Sequence, residues 1–78
     1  MATEIKVPSI GTGTGAAIVI QWLCRVGDGV ATGEPLVVLE SFGVEIPVTA
    51  PANGVLESIA APPGSGVHVG SVLGVIEP

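Results

Sequence analysis

The feature that most limits what this chain can fold into is an internal repeat. At an offset of 37 residues, positions 26–40 (Val-Gly-Asp-Gly-Val-Ala-Thr-Gly-Glu-Pro-Leu-Val-Val-Leu-Glu) line up with positions 63–77 (Pro-Gly-Ser-Gly-Val-His-Val-Gly-Ser-Val-Leu-Gly-Val-Ile-Glu). The pairs Gly27/Gly64, Gly29/Gly66, Val30/Val67, Gly33/Gly70, Leu36/Leu73, Val38/Val75 and Glu40/Glu77 are identical or match in role. The same offset sets Ile18 against Val55 and Trp22 against Ile59. Two copies are too few for a solenoid, which needs at least about three to bury a continuous core. Two small sheets packed face to face about a pseudo-twofold axis satisfy a pair better, because each copy covers the apolar face the other would expose.

Strands rather than helices follow from which apolar residues are used. Aromatics are limited to Trp22 and Phe42, and the rest is Val, Ile, Leu and Ala cut up by 12 glycines and 7 prolines. Branched residues in short runs between Gly and Pro are the mark of a sandwich or barrel. The longest apolar run, 16–24, contains Ile18-Val19-Ile20, opens without a capping residue and has Gly-rich neighbours on both sides, so it reads as a strand. Further strands are expected at 4–7, 36–40, 46–50, 55–60 and 72–76, with 67–70 leading into the last. Turns are expected at 26–29, 32–35, 51–54 and 62–66. The hairpin over 39–48 and the two chain ends then fall at opposite ends of the molecule, since Glu40 closes one copy where Glu77 closes the other.

Seventy-eight residues make one small domain, 1–78. A chain 47% hydrophobic and 12% charged is neither a linker nor a disordered segment. No apolar run approaches the roughly 20 residues that span a bilayer, and the N-terminus has no secretory pattern. With one cysteine the chain fits a reducing, cytoplasmic location. Two basic and seven acidic side chains give a net charge of −5, which argues against nucleic acid and for basic protein partners.

Few residues are candidates for chemistry. Gly11-x-Gly13-x-Gly15 lacks the spacing of a dinucleotide loop and runs into a strand, so no helix end is there to take a phosphate. Cys24 has no base nearby in sequence; the only histidine, His68, lies in the other copy, and one Cys with one His makes no metal set. Glu40 and Glu77 are repeat mates, which explains them without catalysis. Trp22, opposite Ile59, is expected in the core. Phe42 stands out, because a hairpin tip usually takes polar turn formers. Its ring either folds back onto the hairpin or is presented to a partner.

The central stretch Leu-Glu-Ser-Phe-Gly-Val-Glu-Ile-Pro-Val-Thr-Ala-Pro at 39–51 resembles the attachment hairpin of the biotinyl and lipoyl carrier domains. The opening Glu-Ile-Lys-Val-Pro-Ser-Ile-Gly at 4–11, with Ile-Gln-Trp-Leu at 20–23, is similar to lipoyl domains of 2-oxo acid dehydrogenase acyltransferases; Glu-Ile-Pro-Val-Thr-Ala-Pro at 45–51 looks more like biotin carboxyl carrier domains. The resemblance implies an all-β flattened barrel of two four-stranded antiparallel sheets with pseudo-twofold symmetry. It implies a non-catalytic module that carries lipoate or biotin covalently on a lysine at the hairpin tip. It also places the loop 11–15 beside that hairpin. In the family the centre of the frame reads Met-Lys-Met or Asp-Lys-Ala; here it reads Phe42-Gly43-Val44. Glycine has no amine to acylate, and the only lysine, Lys6, lies in the first strand. Phe-Gly at the two central positions suits a type II turn, with positive φ at the second.

The expectation is a carrier-type domain without its acceptor and without a cofactor, acting by protein binding, with Gly43 at the acceptor position. Partner contacts are expected from Glu40, Ser41, Phe42, Val44, Glu45, Gly11 and Gly13. The partners would be proteins of a multienzyme complex or a ligase, met by a monomer or a homo-oligomer. The competing reading is an assembly module using the Phe42 tip or an edge strand as its contact.

Overall fold

The structure is a computed structural model and describes residues 1–9 and 15–78. Among these described residues eight strands follow one another: β1 (Thr3–Lys6), β2 (Ala16–Trp22), β3 (Gly29–Val30), β4 (Pro35–Ser41), β5 (Val44–Thr49), β6 (Gly54–Ile59), β7 (Gly66–His68) and β8 (Val72–Glu77). They form two four-stranded sheets in the orders β1-β8-β6-β3 and β5-β4-β2-β7, with every pairing antiparallel. This is the all-β double sheet expected from the repeat.

The symmetry reaches the individual hydrogen bonds. The Leu23 N–H donates to the Leu36 carbonyl at 2.7 Å, and its repeat mate Ala60 donates to Leu73 at 2.8 Å. Register slips recur in pairs as well. β2 slips against β4 between Val19 and Gln21, and β6 slips against β8 between Leu56 and Ser58. A second pair leaves Leu36 and Leu73 as the extra residues. There the bulge turns two successive residues inward, Leu36 with Val37 and Leu73 with Gly74, so the core gains a leucine on each side.

The copies exchange their shortest strands. β3 belongs to the first copy but pairs with β6 of the second, and β7 pairs with β2 of the first. Gly27 donates to Leu56 and Gly64 to Val19, both at 2.8 Å across the copies. The stretch 26–29, expected as a turn, runs into β3, and 67–70, expected only to lead into the last strand, begins within β7. Strands of two and three residues are too short to show an alternating pattern, and only the backbone bonds of the other copy define them. The first strand begins one residue early and stops at Lys6; β2 stops at Trp22 rather than at 24, where the chain bends.

Ile5, Val19, Leu36, Leu39, Leu56, Leu73 and Ile76 are the heart of a core between the sheets. Trp22 only partly meets its expectation: it is half-buried against that core, and its indole N–H donates to the Ala61 carbonyl at 2.8 Å. A side chain at Gly74 would press on the Trp22 ring and on the Ser58 carbonyl, so glycine there makes room for the larger aromatic.

The long axis, 34 Å against 18 Å in the other directions, separates the tip from the termini. Thr3 pairs with Ile76 at one end. Val7 then bonds with Gly70 and Ser71, His68 pairs with Ala16, and the Ser41 hydroxyl donates to the Ala16 carbonyl at 2.7 Å, which brings β1 up to the hairpin end.

Candidate functional site

The hairpin of β4 and β5 closes through two residues, since Ser41 pairs directly with Val44. Both loop residues have positive φ, 51° at Phe42 and 78° at Gly43. That is the signature of a type I′ turn, whose twist matches the strands it joins, and it replaces the type II turn expected from the Phe-Gly pair. A phenylalanine in the left-handed region is uncommon and carries strain. Sheet twist overrides local preference here. Around Gly43 the space is open: an added Cβ would meet nothing within 4 Å.

Ser41 and Phe42 take opposite roles. Ser41 is 3% exposed, with its hydroxyl spent on Ala16, so it anchors the hairpin to β2. Phe42 is 75% exposed, with Val44 exposed beside it. The Phe42 ring is therefore largely exposed rather than folded back onto the hairpin. Glu40 and Glu45 face each other directly across the ladder. They lie one step from the closing pair, and in an antiparallel ladder that alternation makes theirs the non-hydrogen-bonded position, where side chains approach most closely.

On the outer face the register lines up Glu45, Glu40, Ile18 and Gly66 in one row. Ala16 and His68 form the next row towards the tip. Because Gly66 has no side chain and Ala16 a small one, a groove of about 400 Å³ opens here. Ala16 and Ile18 form its floor, Glu40 and Phe42 one wall, Gly66 and His68 the other. Sequence reasoning gave Ile18, Gly66 and His68 no part in the site. The strand exchange that carries β7 to β2 unites them, and the only signal was the glycine in the second copy's turn.

Gly11 and Gly13 lie outside the described residues. Gly15 is described, and its carbonyl accepts from the Val69 N–H at 2.9 Å beside the hairpin. Cys24 and His68 do not meet. Cys24 lies beyond the far end of β2 from His68, roughly 20 Å along the strand. Burial first, then the negative charges of Asp28 and Glu34, raise the Cys24 thiol above its ordinary pKa of 9.0, away from a nucleophilic thiolate. Among the described residues no three of His, Cys, Asp and Glu converge as a metal set, and no helix is long and apolar enough to cross a membrane. Lys6 lies on β1, in the other sheet, 3.7 Å from Glu4.

Comparison with known proteins places this geometry. Residues 3–76 match the family model described as "Biotin-requiring enzyme". The chain is 42% identical over 77 residues to the dihydrolipoyllysine-residue succinyltransferase component of the 2-oxoglutarate dehydrogenase complex of Bartonella vinsonii subsp. berkhoffii, covering 99% of this chain and 19% of that protein. The equivalent component of Bacillus subtilis is 38% identical over 73 residues, covering 94% of this chain and 18% of that protein. The chain thus spans about a fifth of the length of these relatives. Among solved structures, the lipoyl domain of the 2-oxoglutarate dehydrogenase complex of Azotobacter vinelandii superposes with a TM-score of 0.76 at 29% identity, covering 96% of this chain and 95% of that one. The urea carboxylase of Kluyveromyces lactis contains the same fold, with a TM-score of 0.82 at 22% identity over 99% of this chain and 6% of that one.

Proposed function

This chain belongs to the biotin-requiring enzyme family of biotinyl and lipoyl domains, and from that premise we propose that it is a carrier-type domain without an acceptor amine, working by protein binding alone. The observation that carries the reading is the content of the hairpin tip. Attachment of lipoate or biotin through its carboxyl group requires a primary amine. Ser41, Phe42, Gly43 and Val44 supply none, and Lys6 sits in the opposite sheet beside Glu4. The residues at the tip therefore do not fit the family's covalent group. Among the described residues Cys24 and His68 lie at opposite ends of β2, too far apart to act as a paired nucleophile and base.

What remains is a surface. The tip has Phe42 and Val44 exposed at the end of a two-residue hairpin, flanked by Glu40 and Glu45. A protein partner belonging to a multienzyme complex, like those named for the relatives, suits that surface. The exposure of Phe42 also favours a second reading, an assembly module whose contact is the ring itself.

Restoring the amine separates the two. Gly43→Lys, with Phe42→Met for a biotin ligase or Phe42→Asp for a lipoate ligase, has open space for the new side chain. A mass gain in either variant, with none in the wild-type chain, supports the carrier reading. Refusal by both ligases favours the assembly module, and a covalent group on the wild-type chain defeats the proposal. Sedimentation of the wild type and of Phe42→Ser then tests assembly: a monomer in both removes the second reading.

A further inference from the structure

The groove beside the hairpin has an apolar floor and one acidic bank, and we infer that it takes an extended peptide segment carrying an apolar side chain next to a lysine or arginine. The inference rests on the reading of this domain as a binding module and names the chemistry of what it binds.

Shape comes first. The groove spans β4, β2 and β7, two interstrand spacings or about 10 Å from wall to wall. A helix with its side chains is about 10–12 Å across and would rest on the rim. A single extended chain reaches the floor. Ile18, half exposed at 50%, and Ala16 offer that floor to one apolar side chain, with Phe42 lining the groove at its tip end.

Charge selects the rest. Glu40 and Glu45 oppose each other at the closest position of the ladder, an arrangement that costs stability in the isolated domain. The chain has two basic side chains in all, and neither serves this pair. Lys6 is in the other sheet beside Glu4, and Arg25 follows the far end of β2, where its backbone N–H donates to the Asp28 carboxylate at 2.8 Å. A cation on the occupant relieves the repulsion, whereas a second copy of this chain would bring two more carboxylates to the same place.

The test is a fluorescence-anisotropy titration of the full chain with a fluorescein-labelled peptide, Gly-Ser-Lys-Leu-Lys-Ser-Gly. Two control peptides replace the leucine by serine or both lysines by glutamate. Saturable binding is expected for the first peptide, with each control weaker by about tenfold or more. Gly66→Leu fills the groove without strain, since an added Cβ there meets nothing within 4 Å; it should weaken binding by a similar factor while leaving the urea midpoint in place. Phe42→Ser carries the same expectation should Gly66→Leu not fold. Equal binding of the lysine and glutamate peptides, no saturable binding, or binding untouched by both variants overturns the inference. A dimer that Gly66→Leu dissolves overturns it as well, by making a second copy the occupant. Loading of the Gly43→Lys variants is read by mass alone. Failure of the peptide with successful loading therefore defeats this inference and leaves the proposed function standing.

Discussion

The two ends of this molecule are built from the same parts and finished differently. At the end with the termini, Glu77, Val55 and Gly29 stand in one row across β8, β6 and β3. At the hairpin end their repeat mates Glu40, Ile18 and Gly66 stand in the same row across β4, β2 and β7. The acid, the half-exposed branched residue and the glycine therefore belong to the fold. The hairpin end alone adds the paired Glu45, the raised Phe42 and the His68 wall, whose repeat mate is Ala31. Function is to be sought in what symmetry does not supply.

The glycines contrast the two ends most sharply. At the termini, a side chain at Gly54 would run into the Glu77 carbonyl, whereas Gly43 at the tip has only its left-handed φ to satisfy. Gly54→Ala is expected to cost about 3 kcal/mol or more in urea unfolding, and Gly43→Ala about 1 kcal/mol. Equal costs would break the comparison. Ser41→Ala follows, at about 1–2 kcal/mol by the same measurement, because it removes a buried hydroxyl whose counterpart at the other end is Pro78. Phe42→Asn is expected to stabilise by about 1 kcal/mol, since asparagine tolerates the left-handed region that phenylalanine resists. It would also abolish whatever Phe42 contributes to binding, so a gain in thermal midpoint with a loss of partner would sharpen the division between fold and function. The smallest effect belongs to Glu45→Lys. Relief of the cross-strand repulsion should add a few tenths of a kcal/mol at low salt and vanish at high salt.

Much of the fold was legible because the repeat is carried by residues with positional meaning, such as the Gly27/Gly64 and Leu36/Leu73 pairs. The exchange of β3 and β7 was not, since two or three residues display no period. The turn was misread for a different reason. Phe-Gly satisfies a type II turn by local preference, and only the twist of the two strands that flank it forces Phe42 to positive φ. The candidate site was half visible: the tip residues are contiguous in sequence, but Ile18, Gly66 and His68 reach it through pairings between copies.

That mutual loan of strands makes each half of the molecule depend on the other. A first half emerging from synthesis has no β6 on which to lay β3 and no β7 to flank β2, and β1 waits for a neighbour, β8, encoded at the far end of the chain. Either half alone leaves strands without the neighbours that satisfy their backbone groups. A polypeptide cut short before Val72 would leave β1 and β6 without the strand that lies between them, so loss of cooperative unfolding is the expected result of that truncation.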